Sequence, residues 1–337
     1  MALRQPGFTR ASSLGPIAAF VDAQGGSITR LLQDVDLPFA LLESPETLLP
    51  LREQFRLLQR AARTTGDEHF GARLGQHVKV KNLSAFGKWV SEASTLQEAI
   101  RRSTRGLNAM LQTSTVLTLT RSGPLATWSI EFLDPECDGR YQNELLGASY
   151  LIDCVRTFAG PRWAPSFVLT TAPRGAAKAE VEQIFRAEVS TGHPVTTIAF
   201  DAALLDNESC LPVVPGAPCN AREASEPPMP AEEDATGAIA AVMALALQEG
   251  SPRLEWVAAK LGTTPRSLQR KLSQSGTTYI VVLESLLRQR SQHLIAQTGM
   301  PIIEIALSLG YSDQAHFSRA FKRWTGISPS AYRRQLL

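Results

Sequence analysis

The chain has little cysteine: four thiols in 337 residues, at positions 137, 154, 210 and 219. No pair has C-x-x-C spacing and no histidine sits at ligand spacing from any of them, which argues against a zinc site. Idle reduced thiols are the reading that remains. Long apolar runs are also missing; none approaches the roughly 20 residues that cross a bilayer. The opening "MALRQPGFTRASSLGPIAAFVDAQGG" has its apolar stretch only at residues 14–21, interrupted by Gly15 and Pro16. It reads as the lead into a first helix, and the expectation is a cytoplasmic protein with no membrane attachment. Catalytic motifs are absent too. There is no G-x-S-x-G elbow, since "GASY" at 147–150 lacks the last glycine, and no H-E-x-x-H or phosphate-binding glycine loop. No catalytic residue, metal or cofactor is assigned.

What the chain does have is an uneven charge. Its net charge is only +2. From residue 236 onward there are twelve Lys and Arg against five Asp and Glu, about +7, while the remaining 22 basic and 27 acidic residues leave the rest at about −5. A basic C-terminal part on an acidic body points to a polyanion partner for that part.

The clearest boundary is "LPVVPGAPCNAREASEPPMPAEED" at 211–234, rich in Pro, Ala, Ser and Glu. It divides the chain into residues 1–212, a linker at 213–234, and residues 235–337. The first part mixes helices and strands. "LLPLREQFRLLQRAARTTG" has helical spacing and Gly66 as a stop, and Thr95-x-x-Glu98 forms a capping box. "STVLTLTRSG" and "LATWSIEFLD" suit a hairpin, and "YQNELLGASYLIDCVRTFAG" a helix that serves either as core or as a dimer surface. "SFVLTTAP" and "VTTIAFD" read as strands flanking a helix, "AAKAEVEQIFRAEVS". The sum is an α+β domain. The last part has no convincing strand. It reads as short helices at about 234–248, 252–261, 265–275, 278–297, 301–309, 313–324 and 329–335.

Two stretches of this last part repeat one plan: "AAKLGTTPRSLQRKL" from 258 and "ALSLGYSDQAHFSRAF" from 306. Each runs from small and apolar residues through Leu-Gly to a Thr or Ser cap, Thr264 or Ser312. A helix follows with apolar residues four apart, Leu268 and Leu272 or Phe317 and Phe321. This is a helix-turn-helix used twice: glycine ends the first helix, the cap starts the second, and Pro265 suits a first helical position. The outward face presents Arg266, Ser267, Gln269 and Arg270 in one unit and Gln314, Ala315, His316 and Arg319 in the other. Arginine pairs with guanine, glutamine with adenine, and alanine touches a thymine methyl, so these are the expected base contacts. Thr264, Ser312, Ser318, Lys322 and Arg323 are the expected phosphate contacts. The bridge "TYIVVLESLLRQRSQHLIAQ" makes a helix of roughly 30 Å, close to the roughly 34 Å of one DNA turn. One chain is thus expected to place two helices in successive major-groove segments.

At these residues the chain resembles the AraC/XylS family of bacterial transcription regulators. The most specific piece is "IIEIALSLGYSDQAHFSRAFKRWTGISPSAYRR". The departures are Leu272, where phenylalanine is frequent, and a first recognition helix one residue shorter before its glycine. The stretches "LPLREQFRLLQRAARTTGDEHFGARLG", "TLQEAIRR" and "FDAALLDN" resemble the arabinose-binding-like regulatory domain of one subgroup. The resemblance implies an effector-sensing or dimerising N-terminal domain joined to an all-α domain with two helix-turn-helix motifs. It further implies a homodimer on promoter DNA that usually activates through RNA polymerase, with a small-molecule effector whose binding residues are unassigned. Two alternatives stand beside this: a dimerisation domain that takes no ligand, and an enzyme domain fused to the DNA-binding part.

Overall fold

The computed structural model describes residues 6–134, 137–209, 227–250 and 252–336. The chain divides into two units, Met1–Glu232 and Glu233–Leu337. Residues 213–226 of the expected linker, with Cys219, and residue Cys210 lie outside the described residues.

In the first unit a short antiparallel pair, β1 (Phe8–Arg10) and β2 (Leu48–Pro50), brackets α1 (Ile17–Ala23) and α2 (Ile28–Asp34). Helix α3 (Leu51–Thr65) buries Leu51, Phe55, Leu58 and Ala62, a four-residue spacing that lays them on one face. It ends where Gly66 takes φ +67°. Then come α4 (Phe70–Gly75), α5 (Ser84–Ser91) and α6 (Leu96–Met110). Thr95 caps α6 by accepting from the Glu98 N–H at 3.3 Å. The reciprocal arm of the capping box is not made; the Glu98 carboxylate is held by Arg101 and Arg102.

The hairpin β3 (Thr115–Ser122) and β4 (Leu125–Phe132) is present, in register from Thr115 opposite Phe132 to Ser122 opposite Leu125. On β4 alternate residues Ala126, Trp128, Ile130 and Phe132 face the core. Helix α7 (Arg140–Ala159) is buried on nearly every side, with Gln142, Asn143, Glu144 and Asp153 inside as well as Leu145, Ile152 and Val155. Of its two sequence readings, it is core. Helix α4 lies directly on it because Gly71 and Gly75 lack side chains; a Cβ on Gly71 would sit 1.9 Å from the Gln142 carbonyl oxygen.

The sheet continues through β5 (Phe167–Leu169), β6 (Glu188–Ser190) and β7 (Thr196–Asp201), in the order β3-β4-β7-β5-β6. The expected helix at 176–190 is shorter than its sequence suggests. Helix α8 (Ala179–Phe185) stops at Arg186, which takes φ +57°, and the following "EVS" becomes β6, parallel to β5. Tertiary pairing wins over helical propensity here: Val189 is buried opposite Val168, and the Glu182 carboxylate accepts from the Val189 N–H at 3.0 Å. Burial pushes the Cys154 thiol up to about 12 and raises that of Cys137, so both stay protonated at neutral pH.

The second unit, among its described residues, is helical throughout: α9 (Ala235–Ala246), α10 (Leu254–Lys260), α11 (Pro265–Gln274), α12 (Tyr279–Gln297), α13 (Ile302–Ser308), α14 (Gln314–Thr325) and α15 (Pro329–Leu336). Helix α9 packs on α10, α11 and α12; α12 also packs on α13, α14 and α15. The core around the second motif gathers Leu287, Ile295, Ile305, Leu309, Phe317 and Phe321. Among the described residues no helix is long and apolar enough to cross a membrane.

Candidate nucleic-acid interface

Both motifs are built as the repeat implies. Helix α10 gives way at Gly262, φ +65°, and the Thr264 Oγ1 accepts from the Ser267 N–H at 3.2 Å to start α11. Leu268 and Leu272 are then buried, which turns Arg266, Gln269 and Arg270 outward, all exposed. Ser267 is half-buried, and its Oγ accepts from the Thr264 hydroxyl.

In the second motif α13 gives way at Gly310, φ +83°. The cap here is not Ser312. Asp313 caps α14, its carboxylate accepting from the His316 N–H at 2.6 Å, while the exposed Ser312 donates to Asp313 Oδ2 at 3.3 Å. The reason is a register shift within the repeat. The glycines 262 and 310 are 48 residues apart, but the caps 264 and 313, the apolar pairs and the arginines 270 and 319 are 49 apart. The second turn holds one more residue than the first, and matching the glycines assigns the cap one position early. That 49-residue spacing was the available signal for Asp313.

Phe317 and Phe321 are fully buried. Gln314, Ala315, His316 and Arg319 are exposed on α14, and Ser318 is half-buried. The His316 ring meets the edge of Tyr311, centroids 5.5 Å apart. Lys322 is exposed. Arg323 is ion-paired with Glu284 of α12. Among the described residues Arg266, Arg270, Arg319 and Lys322 make no ion pair, so their charge is open to an external anion. Two other arginines of this basic unit are structural. Arg290 donates to the Leu247 carbonyl at 2.5 Å, and Arg333 to the Met300 carbonyl at 2.7 Å.

The two helix N-termini differ in electrostatics. That of α11 carries a neutral threonine cap. That of α14 carries a carboxylate, held below its ordinary range first by the His316 N–H bond and then by lesser hydrogen bonds from Ser312 and the Ala315 N–H. The first can face a phosphate; the second repels one at that point. Between the motifs α12 runs 19 residues, about 28 Å.

A family model described as the arabinose-binding domain of AraC transcription regulator, N-terminal, matches residues 25–208, more than half the chain. The chain belongs to the AraC family of transcription regulators. A second family model, a helix-turn-helix domain, matches residues 257–335 and so covers both recognition helices of this AraC-family chain. Among curated proteins it is similar to the ornithine utilization regulator of Pseudomonas aeruginosa, 46% identical over 82 residues, 24% of each chain. It is also similar to the regulator VirS of Mycobacterium tuberculosis, 36% identical over 87 residues, 26% of each. The matches thus span about a quarter of the length of these relatives. Among solved structures, CdpR of Pseudomonas aeruginosa is 22% identical, covers 78% of this chain and 86% of its own, and has a TM-score of 0.34.

Proposed function

We propose that this AraC-family chain is a homodimeric, effector-responsive regulator that binds promoter DNA in a sequence-specific way. Residues 235–337 bind the DNA, with α11 and α14 entering successive major-groove segments and residues 213–234 tethering them to a sensing and dimerising domain at 1–212. Arg266, Ser267, Gln269 and Arg270 read bases from α11; Gln314, Ala315, His316 and Arg319 read them from α14. Thr264, Ser312, Ser318, Lys322 and Arg323 hold phosphates. The dimer activates transcription through RNA polymerase, and the chain has no catalytic role.

One observation carries this reading. Two helices of one repeat bury apolar pairs at the same spacing and expose an arginine at the same position, Arg270 and Arg319, without an internal ion-pair partner. A duplicated scaffold that keeps two free arginines outward is suited to two readings of one duplex. The test is to incubate the purified full-length protein with fragmented DNA of its own organism and sequence what is retained. A few strong sites upstream of operons support the reading. Retention without sequence preference, with and without extracted small metabolites, sinks it.

A further inference from the structure

The first unit encloses a cavity of ≈ 70 Å³ between the inner face of β4 and helices α5, α6 and α7. Its walls are mainly apolar, among them Phe86, Leu107, Leu117 and Ile130. The polar groups on its wall are largely committed. The Ser13 Oγ donates to Gln54, Gln54 Nε2 donates to Asn143 Oδ1 at 2.7 Å, Ser103 bonds the Ala99 carbonyl, and Gln112 donates to Thr115. The Tyr150 hydroxyl donates to the Ser13 carbonyl, and burial keeps its phenol neutral. Two donors are left over. The Trp128 indole lines the cavity at 1% exposure, and its Nε1 has no partner. The bonds of Asn143 use its Oδ1 and its main-chain N–H but not its side-chain NH2. No aspartate, glutamate, lysine, arginine or histidine lines the space.

An orphan indole N–H in an apolar wall is costly unless something accepts from it. The void is about half the roughly 150 Å³ of an apolar protein cavity that takes benzene, so an occupant has on the order of six heavy atoms. A free amino acid would bring charges with nothing to pair them. A sugar would bring several hydroxyls to two free donors. We propose that this cavity is the effector site and takes a small uncharged molecule with an apolar body and one hydrogen-bond acceptor, received by the Trp128 N–H. This rests on the sensor reading of residues 1–212. It also sets the cavity against the arabinose of the family model's name.

The probes are cyclopentanone, cyclopentane, L-arabinose and L-ornithine, added to the 15N-labelled full-length protein. The chain has five tryptophans, and loss of one indole signal in Trp128→Phe assigns the relevant resonance. Cyclopentanone should move that resonance and raise Tm. Cyclopentane, without an acceptor, should bind roughly fivefold more weakly, about the worth of one hydrogen bond. Trp128→Phe should reduce the ketone to the alkane's affinity, and Leu117→Phe, which fills the void, should remove both. Should Trp128→Phe not fold, the Tm response and the Leu117→Phe comparison decide alone. Movement of the Trp128 resonance by arabinose or ornithine overturns the proposal, as does a resonance that no probe moves, the mark of a void holding only water. DNA affinity measured with and without cyclopentanone separates the two readings. A ketone bound at Trp128 with DNA affinity unchanged sinks the sensing role and leaves the cavity. Another compound that changes DNA affinity while the indole stays still sinks the cavity and leaves the sensor.

Discussion

Arg323, on the last turns of the second recognition helix, is ion-paired with Glu284 on the bridge helix, both side chains open to solvent. An exposed pair of this kind contributes little to stability, about 0–1 kcal/mol, so it can be exchanged for a phosphate at small cost. Two roles are therefore in competition at one guanidinium. If Arg323 goes to the DNA backbone, Arg323→Ala lowers the slope of log K against log salt by about 0.9, and Glu284→Gln raises affinity for all sequences alike. If it is only a strut between α12 and α14, the substitution lowers Tm and leaves the slope unchanged. A salt titration of wild type and both variants on one DNA fragment decides.

Arg270 and Arg319 are expected to read different positions of the site. Arg319→Ala should cost about 1–3 kcal/mol on the best sequence and relax choice at one base pair, and Arg270→Ala should do the same at another. Selection from a randomised duplex pool with each variant checks this. Identical relaxation patterns, or unchanged affinity, would remove these two from the list of base-reading residues.

Asp313 gives α14 a stability that depends on acid. Its folded-state pKa lies below the ordinary value of 3.8, chiefly through the His316 N–H bond. The carboxylate cap is therefore fully effective above that unfolded value and is lost as the pH falls through the lower folded value. Hydrogen exchange of the first-turn amides of α14 in the full-length protein should be flat near neutrality and accelerate only on strong acidification. Asp313→Asn keeps a capping oxygen without the charge. It should abolish the acid dependence and, at neutral pH, strengthen DNA binding by removing a negative charge from the helix N-terminus.

Gly71 marks a contact that tolerates no side chain. With the Gln142 carbonyl 1.9 Å from the position of a Cβ, Gly71→Ala must push α4 off α7. A loss of at least about 2 kcal/mol in urea unfolding is expected. Gly250→Ala, where a Cβ meets nothing within 4 Å, is the control and should stay within about 0.5 kcal/mol.

Local signals made the second unit readable. Gly262, Gly310, Thr264 and Pro265 punctuate it, and its apolar pairs four apart leave one solution for each helix. The miss at Ser312 came from a turn whose length differs between the repeats, a feature that only the spacing of the whole motif encodes. In the first unit, the hairpin and helices α3, α6 and α7 were equally visible. The strand at 188–190 was not, because its residues follow a helical pattern directly and become a strand only through pairing with β5. The Trp128 cavity was beyond reach in principle. It is made by residues from distant segments, and an indole without a partner leaves no trace in its own neighbourhood of sequence.

The additional residue of the second turn falls before the cap, outside the helix. Inside the helix it would have rotated every outward side chain by about 100° and turned Arg319 toward the core. Placed in the turn, it leaves the angular phase of the reading face untouched and alters only the approach of the helix. The turn is thus an adjustable joint: shortening or lengthening it re-aims a reading head while its chemistry stays the same.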